Sequence, residues 1–227
     1  MQSYRKRIAA FLVFALLFSF PASVIAADDD PVDRMTFFGD STTAHLVLRG
    51  GIPQDRVWSG IGSTVLFETV NSVKCVHLHR ESKDLTLAGA VRLKKPDILV
   101  ITVGISGGAG RLSREDFTDI YRELLLSVQR ASPETKLIVQ SILPLSDRSV
   151  KHYKRLTKES VEQANGWLRA LCSEMQIPYA DSHTKLIDPG TGYLKPEYQN
   201  DEYMHLTAEA YGVILENLRA HAKALGY

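Results

Sequence analysis

Few cysteines and almost no net charge limit what this protein can be. The 227 residues include two cysteines, Cys75 and Cys172, and neither belongs to a cysteine–histidine pattern suited to zinc. Lysine and arginine together exceed aspartate and glutamate by one, which gives a formal net charge of +1. Without a basic excess, the chain as a whole has no electrostatic attraction for nucleic acid. We therefore expect no metal site and no nucleic-acid partner.

The chain also lacks the glycine-rich signatures of nucleotide binding. It contains neither a P-loop nor a dinucleotide-binding fingerprint, and we expect no cofactor. Both cysteines lie in mixed apolar surroundings, where a free thiol behaves as a small hydrophobic group. An oxidising compartment would permit a disulfide, but these surroundings favour two separate thiols.

The apolar run at residues 9–20 is too short for a comfortable membrane span. It follows a basic segment at residues 5–7, is broken by Pro21, and leads to small residues that end at Ala26. This order predicts a secretory signal peptide over residues 1–26, and a single mature domain over residues 27–227. An uncleaved anchor helix is the alternative. We expect a secreted or periplasmic protein with no stable membrane insertion after signal cleavage.

Apolar segments alternate with helical patterns along the rest of the chain. Strands are predicted at residues 35–38, 56–58, 97–103, 137–143 and 177–181, and helices at residues 85–95, 113–131, 155–175 and 207–224. Residues 64–78 are predicted to be extended, with a hairpin turn at residues 71–72. Alternation of this kind is typical of a parallel sheet covered on both faces. We expect a flavodoxin-like, three-layer α/β/α sandwich of about five mostly parallel strands.

This strand order predicts where a ligand binds. In a flavodoxin-like sheet the first strand lies between the second and the third, and ligands bind at the carboxyl ends of the first and third strands. Gly39-Asp40-Ser41 ends the first strand, and Gly104-Ile105-Ser106-Gly107 ends the third. A helix that begins at Ser41 would add backbone N–H groups suited to an oxyanion. Ser41 is therefore a candidate nucleophile, although a serine that only caps the helix gives the same pattern.

A serine nucleophile needs a base, and the base needs an acid that orients it. His205 lies on a loop just before the last predicted helix, with Glu202 three residues upstream and Asp201 four residues upstream. We predict His205 as the base and Glu202 as the acid, with Asp201 as the alternative acid. His45 and His183 are other possible bases, and each is more simply explained as a polar residue at the rim of the site.

Four segments resemble the conserved blocks of the GDSL, or SGNH, hydrolases. Phe38-Gly39-Asp40-Ser41-Thr42-Thr43 resembles the first block, and His205-Leu206-Thr207 with an acid upstream resembles the last. Gly62-Ser63-Thr64 resembles the second block, and the turn at residues 104–107 occupies the place of the third. The blocks follow the family order and extend over nearly all of the predicted mature chain.

The resemblance implies an esterase mechanism and also shows two departures from it. In the family the serine attacks an ester carbonyl, and the oxyanion is held by N–H groups of Ser41 and Gly62 and by an asparagine in the third block. Here Ser106 stands in place of that asparagine. Glu202 stands where the family has aspartate. Loss of one oxyanion donor typically slows a hydrolase by about 10²–10³-fold, so Ser106 puts the rate in question.

We hypothesise a secreted ester hydrolase that cleaves acyl or acetyl esters of small molecules or glycans, including cell-envelope material, through an acyl-enzyme on Ser41. The alternative is a catalytically impaired family member that binds a glycan or acyl group without efficient turnover. A phosphate- or nucleotide-binding flavodoxin-like module is the third class considered. The predicted oxyanion hole consists of Ser41, Gly62 and Ser106.

Overall fold

The computed structural model describes residues 30–60, 62 and 64–226. The predicted signal peptide at residues 1–26 lies outside the described residues. Within the described part, no helix is long and apolar enough to cross a membrane.

A five-stranded parallel sheet forms the centre of the molecule. The strands, in chain order, are β1 (Met35–Gly39), β2 (Val57–Trp58), β3 (Val76–Leu78), β4 (Lys83–Leu85), β5 (Ile98–Thr102), β6 (Lys136–Gln140) and β7 (Tyr179–Ala180). The sheet order is β2-β1-β5-β6-β7, and β3 and β4 form a separate antiparallel pair. The first sheet strand therefore lies between the second and third, as predicted.

Helices cover both faces of the sheet. They are α1 (Ser41–Ala44), α2 (Leu46–Arg49), α3 (Leu87–Lys94), α4 (Arg114–Ala131), α5 (Lys158–Glu174), α6 (His183–Leu186) and α7 (Ala208–Ala224). Residues on α3, α4 and α5 share one hydrophobic cluster with alternate sheet residues such as Phe38 and Ile101. Residues on α2, α6 and α7 share a second cluster with the intervening sheet residues, such as Phe37 and Val100. This arrangement confirms the predicted three-layer α/β/α sandwich.

The β1–β5 pairing decides where the functional residues meet. Gly39 at the end of β1 is in register with Thr102 at the end of β5. Both strands are completely buried, so their ends are held in place by the core on either side. The turns that follow the two strands consequently start at the same level of the same sheet edge.

The predicted hairpin turn at residues 71–72 is wrong, and of the predicted extended segment at residues 64–78 only residues 76–78 form a strand. Phe67–Thr69 forms a 3-10 helical turn, and the strand β3 pairs with β4 around a turn at residues 79–82. Phe67 and Val70 are both buried, and their spacing of three suits a helical turn better than a strand. The backbone N–H of Phe67 donates to the Ser106 carbonyl at 2.8 Å, so this segment supports the turn after β5.

Cys75 and Cys172 are free thiols, and both are buried in the cluster that faces α3, α4 and α5. Burial raises the pKa of the Cys75 thiol and raises that of Cys172 to about 12. Both therefore remain protonated at neutral pH and contribute to packing, as the sequence predicted.

Candidate active site

The turn from β1 into α1 is possible because residue 39 is glycine. A Cβ at this position would lie 2.1 Å from Oγ1 of Thr43 and 2.4 Å from the carbonyl oxygen of Thr102. The helix α1 therefore folds back directly over the ends of β1 and β5. Ser41, the first residue of α1, is half-buried at this edge.

Two hydrogen-bonded contacts hold α1 in this position. The carboxylate of Asp40 caps the helix, because its Oδ1 accepts from the Thr42 N–H at 3.1 Å and from the Thr42 hydroxyl at 2.9 Å. Burial raises the pKa of Asp40 in spite of these hydrogen bonds. From the other side, the hydroxyl of Tyr211 on α7 donates to the Thr42 carbonyl at 2.6 Å. The nucleophile candidate is thus carried by a buried, doubly anchored turn.

His205 lies against Ser41, although 164 positions separate them in the chain. The Ser41 Oγ and the His205 Nε2 are 3.0 Å apart, within hydrogen-bonding distance. The loop that carries His205 is closed at its base, since Gln199 and Leu206 form an isolated antiparallel bridge. The Asn200 N–H also donates to the His205 carbonyl at 2.9 Å. The structure therefore brings the predicted nucleophile and the predicted base together.

The carboxylate beside His205 belongs to Asp201 and not to Glu202. The Asp201 Oδ2 pairs with Nδ1 of His205, while its Oδ1 accepts from the Tyr203 N–H at 2.8 Å and the His205 N–H at 3.3 Å. Partial burial alone would raise the pKa of Asp201, but the hydrogen bonds from His205 and from these two N–H groups hold it below its ordinary value. Asp201 is therefore ionised at neutral pH.

The assignment of Glu202 as the orienting acid is corrected by this geometry. The side chain of Glu202 is 53% exposed and points away from His205, lying 3.6 Å from Arg148 and 3.8 Å from Nε2 of His152. Asp201 reaches the imidazole because its carboxylate turns back over the backbone N–H groups that follow it, as aspartate commonly does in tight turns. The alternative acid of the sequence prediction is the one in contact.

The three predicted oxyanion residues differ in their exposure to solvent. Ser106 is half-buried in the turn after β5, and it lines a pocket at the edge of the site. Gly62 is exposed, and its carbonyl accepts from the Thr64 hydroxyl at 3.3 Å. Ser41 begins α1 with its backbone at the same edge. The oxyanion roles of these three residues stay predictions.

The two other candidate bases occupy different places. The His45 ring packs on the His205 ring with a centroid distance of 4.5 Å. Desolvation, followed by the positive charge of His205, lowers the pKa of His45. His183 is buried away from Ser41, where its Nδ1 donates to the Ile142 carbonyl at 3.1 Å. His45 is therefore a neighbour of the base, and His183 is a core residue.

The loop at residues 145–157, after the fourth strand of the sheet, was expected from the sequence to decide which acyl and alcohol groups fit, and it forms one wall of a pocket beside this site. The pocket encloses about 390 Å³ between residues 105–111, residues 152–156 and Met204, which directly precedes His205. Tyr203, next to Met204, stacks on His152 with a ring-centroid distance of 4.3 Å. Long loops at the carboxyl edge of a sheet commonly form binding sites. Among the described residues, no cluster of histidine, cysteine or carboxylate side chains is arranged to hold a metal ion.

Solved structures with the same fold include several ester hydrolases. A GDSL-like lipase from Bacteroides thetaiotaomicron is similar at 14% identity and a TM-score of 0.59, over 84% of this chain and 88% of that one. A family 3 carbohydrate esterase from Talaromyces cellulolyticus is similar at 16% identity and a TM-score of 0.54, over 84% and 96%. A carbohydrate acetylesterase from Sinorhizobium meliloti is similar at 13% identity and a TM-score of 0.52, over 84% and 98%.

A comparison with curated protein sequences gives no match. The sequence profile of the GDSL-like Lipase/Acylhydrolase family, in contrast, matches residues 37–213. This match spans most of the described chain, from β1 into α7, and it includes Ser41, Asp201 and His205. The chain belongs to the GDSL-like Lipase/Acylhydrolase family.

Proposed function

We propose that this protein is an exported serine esterase that cleaves acyl or acetyl esters, with Ser41 as its nucleophile. The observation that carries the proposal is the continuous contact from Ser41 Oγ to His205 Nε2 at 3.0 Å, and from His205 Nδ1 to Asp201. A hydroxyl, an imidazole and a carboxylate in this order form the catalytic arrangement of serine hydrolases on unrelated folds.

The proposed reaction proceeds through an acyl-enzyme. His205 Nε2 takes the proton of the Ser41 hydroxyl as Oγ attacks the ester carbonyl, and the carbonyl electron pair moves onto its oxygen. Collapse of this intermediate expels the alcohol, which receives the proton from His205. A water molecule then attacks the acyl-enzyme by the same steps and releases the acid. Asp201 holds Nδ1–H throughout and stabilises the imidazolium that forms.

The oxyanion hole in this proposal uses the backbone N–H of Ser41, the backbone N–H of Gly62 and the Ser106 hydroxyl. A serine hydroxyl donates one hydrogen bond, as an asparagine amide can, but it is shorter and rotates more freely. If the Ser106 hydroxyl is poorly placed, the rate falls by up to about 10²–10³-fold. This position is the observation that favours the second candidate function, a family member that binds an acyl or glycan ligand with little turnover.

The substrate class is proposed from the site and from similar proteins. Two of the similar structures are a carbohydrate esterase and a carbohydrate acetylesterase, and both share the fold with this chain. A pocket of about 390 Å³ beside Ser106 and Met204 has room for a sugar-sized alcohol. We therefore propose O-acylated glycans or their fragments as substrates. The basic and apolar segments within residues 1–26 support export by a signal peptide.

Ester turnover with a matched serine control tests the proposal. The mature protein is assayed on 4-nitrophenyl acetate, butyrate and longer esters, beside Ser41→Ala and Ser72→Ala. Ser72 is an exposed serine whose hydroxyl donates to the Thr69 carbonyl at 3.1 Å, outside the site. We expect Ser41→Ala to abolish measurable turnover and Ser72→Ala to retain it. Wild-type protein with no turnover on any ester would favour the impaired member, and activity in Ser41→Ala would rule out this nucleophile.

A further inference from the structure

The pocket beside the catalytic residues has a strongly one-sided charge. Three of the residues that line it are cationic, namely Arg111, Lys154 and Arg155, and none of its lining residues in the described part of the chain is an aspartate or a glutamate. The complete chain is nearly neutral, with 27 basic and 26 acidic residues. The positive charge is therefore a local property of this pocket.

Two of the three cations have no acidic partner. Arg111 pairs with Glu68 at 3.0 Å, and this contact offsets its charge. Lys154 and Arg155 form no ion pair with any residue that the structure describes, and both are exposed at the pocket. The nearby Glu202 faces Arg148 and His152 instead. Two neighbouring, uncompensated cations attract an anion, and arginine matches the geometry of a carboxylate or a phosphate.

The backbone at Arg155 is held against the opposite wall of the pocket. Gly110 adopts a left-handed backbone conformation with a φ of 72°, and a Cβ there would lie 2.1 Å from the Arg155 carbonyl oxygen. The turn after β5 and the segment before α5 therefore pack backbone to backbone at this point. Such close packing limits how far Arg155 can move from the pocket without opening it.

The remaining lining suits the body of a sugar ring or a similar group. Ile105, Leu156 and Met204 contribute apolar surface, and the Tyr153 ring lies beside them. Desolvation, followed by the nearby charges of Tyr203 and Asp201, raises the pKa of Tyr153, so its hydroxyl stays protonated and can donate a hydrogen bond. A volume of about 390 Å³ greatly exceeds what an acetyl group needs. The pocket is thus better suited to the alcohol part of an ester than to a short acyl group.

We propose that Lys154 and Arg155 select esters whose alcohol part carries an anionic group, a carboxylate or a phosphate, beside the scissile bond. This inference rests on the proposed esterase function and narrows its substrate class. In this arrangement the ring of the alcohol lies against Tyr153 and Leu156. The anionic group lies between the two cations, and the ester carbonyl lies at Ser41.

Matched substrates that differ in one charged group test the inference. Mono-acetylated methyl glucuronoside, mono-acetylated methyl glucoside and the 6-phosphate of the latter are compared by acetate release. We expect kcat/KM to favour the charged sugars by about five- to tenfold at low ionic strength, and the preference to shrink when salt is added. A preference for the uronate alone, or for the phosphate alone, identifies which anion the pocket takes.

The double variant Lys154→Gln/Arg155→Gln is expected to remove the preference for the charged sugars over the neutral glucoside. Lys151→Gln is the matched control, because Lys151 is an exposed cation of the same segment that does not line the pocket. An equal rate on charged and neutral sugars in the wild type, or a preference that survives the double variant, would overturn the inference.

A binding measurement separates this inference from the proposed catalysis. Ser41→Ala protein is titrated with methyl glucuronoside, methyl glucoside and glucose 6-phosphate, and amide NMR shifts are followed. Tighter binding of an anionic sugar, lost in the Lys154→Gln/Arg155→Gln background, supports the pocket even if the wild type hydrolyses no ester. Equal binding of all three sugars contradicts it even if the wild type is an active esterase.

Discussion

The imidazole ring of His45 packs on that of His205 with a centroid distance of 4.5 Å, and it is the His205 ring that lies 3.0 Å from the Ser41 hydroxyl oxygen. The His45 Nδ1 is buried and has no hydrogen-bond partner among the described residues. Desolvation, followed by the charge of His205, lowers the pKa of His45 and so favours its neutral form. His45 therefore acts as a packing surface that limits rotation of the base.

Replacement of His45 by alanine should remove this surface and leave the ring of His205 freer to rotate. We expect kcat on 4-nitrophenyl acetate to fall about three- to tenfold, with a smaller change in KM. His45→Phe keeps a ring in the same place, and the unpartnered Nδ1 loses no hydrogen bond. The His45→Phe variant should therefore retain most of the wild-type kcat, and kcat is measured across the full pH range. Equal losses in both variants would show that the imidazole itself is needed.

The two neighbouring acids should differ sharply in their effect on the rate. Asp201→Asn leaves the shape intact but removes the charge that stabilises the His205 imidazolium, so kcat should fall by about 10²–10⁴-fold. Glu202→Gln changes an exposed side chain that lies near Arg148 and His152, and should keep kcat within about twofold. The comparison is steady-state kinetics on one ester. A larger loss of kcat in Glu202→Gln than in Asp201→Asn would show that Glu202 is the acid that orients His205.

Most substitutions in an active site lower kcat, but a substitution at Ser106 is predicted to raise it. Ser106→Asn supplies the amide that is typical of the family at this position, and it should raise kcat if the serine hydroxyl is a poor oxyanion donor. Ser106→Ala removes the donor and should lower kcat by up to about 10²-fold. Unchanged kcat in both variants would mean that the side chain at this position takes no part in the reaction.

Gly39 should be required for stability as well as for the position of Ser41. Gly39→Ala places a methyl group 2.1 Å from Oγ1 of Thr43, and should lower the free energy of unfolding by about 1–3 kcal/mol. Gly212→Ala is the control, since a Cβ there meets nothing within 4 Å in the exposed part of α7. It should instead stabilise the protein by about 0.5–1 kcal/mol. Urea unfolding measures both, and a neutral Gly39→Ala would contradict the close approach.

The sequence predicted the sheet order, and it singled out Ser41 and His205, which the structure brings into contact, because these features depend on local patterns. The buried strand Ile98–Thr102 is a nearly continuous apolar run. Ser41 lies just after the end of the first strand, and His205 lies just before the last helix. Two features depended on contacts that no local pattern carries. The 3-10 turn at Phe67–Thr69 forms because Phe67 packs in the core and bonds to Ser106, and apolar residues alone suggested a strand.

The choice between Asp201 and Glu202 was likewise decided by geometry within one loop. Both carboxylates are within four residues of His205, so spacing left both open. The closure of the loop by the Gln199–Leu206 bridge and the N–H groups of Tyr203 and His205 turns Asp201 inward. The sequence also indicated that the loop at residues 145–157 selects the substrate, but it did not show that this loop faces residues 105–111, because the two segments lie far apart in the chain.

The most direct test of the central claim is the mass of the protein after reaction with a fluorophosphonate, followed by peptide mapping. This reagent bonds to a serine oxygen that a neighbouring base activates. We predict a single adduct on the peptide that contains Ser41, which disappears in Ser41→Ala and is strongly slowed in Asp201→Asn. An unlabelled wild-type protein, or an adduct that maps to another serine, would contradict the assignment of Ser41 as the nucleophile.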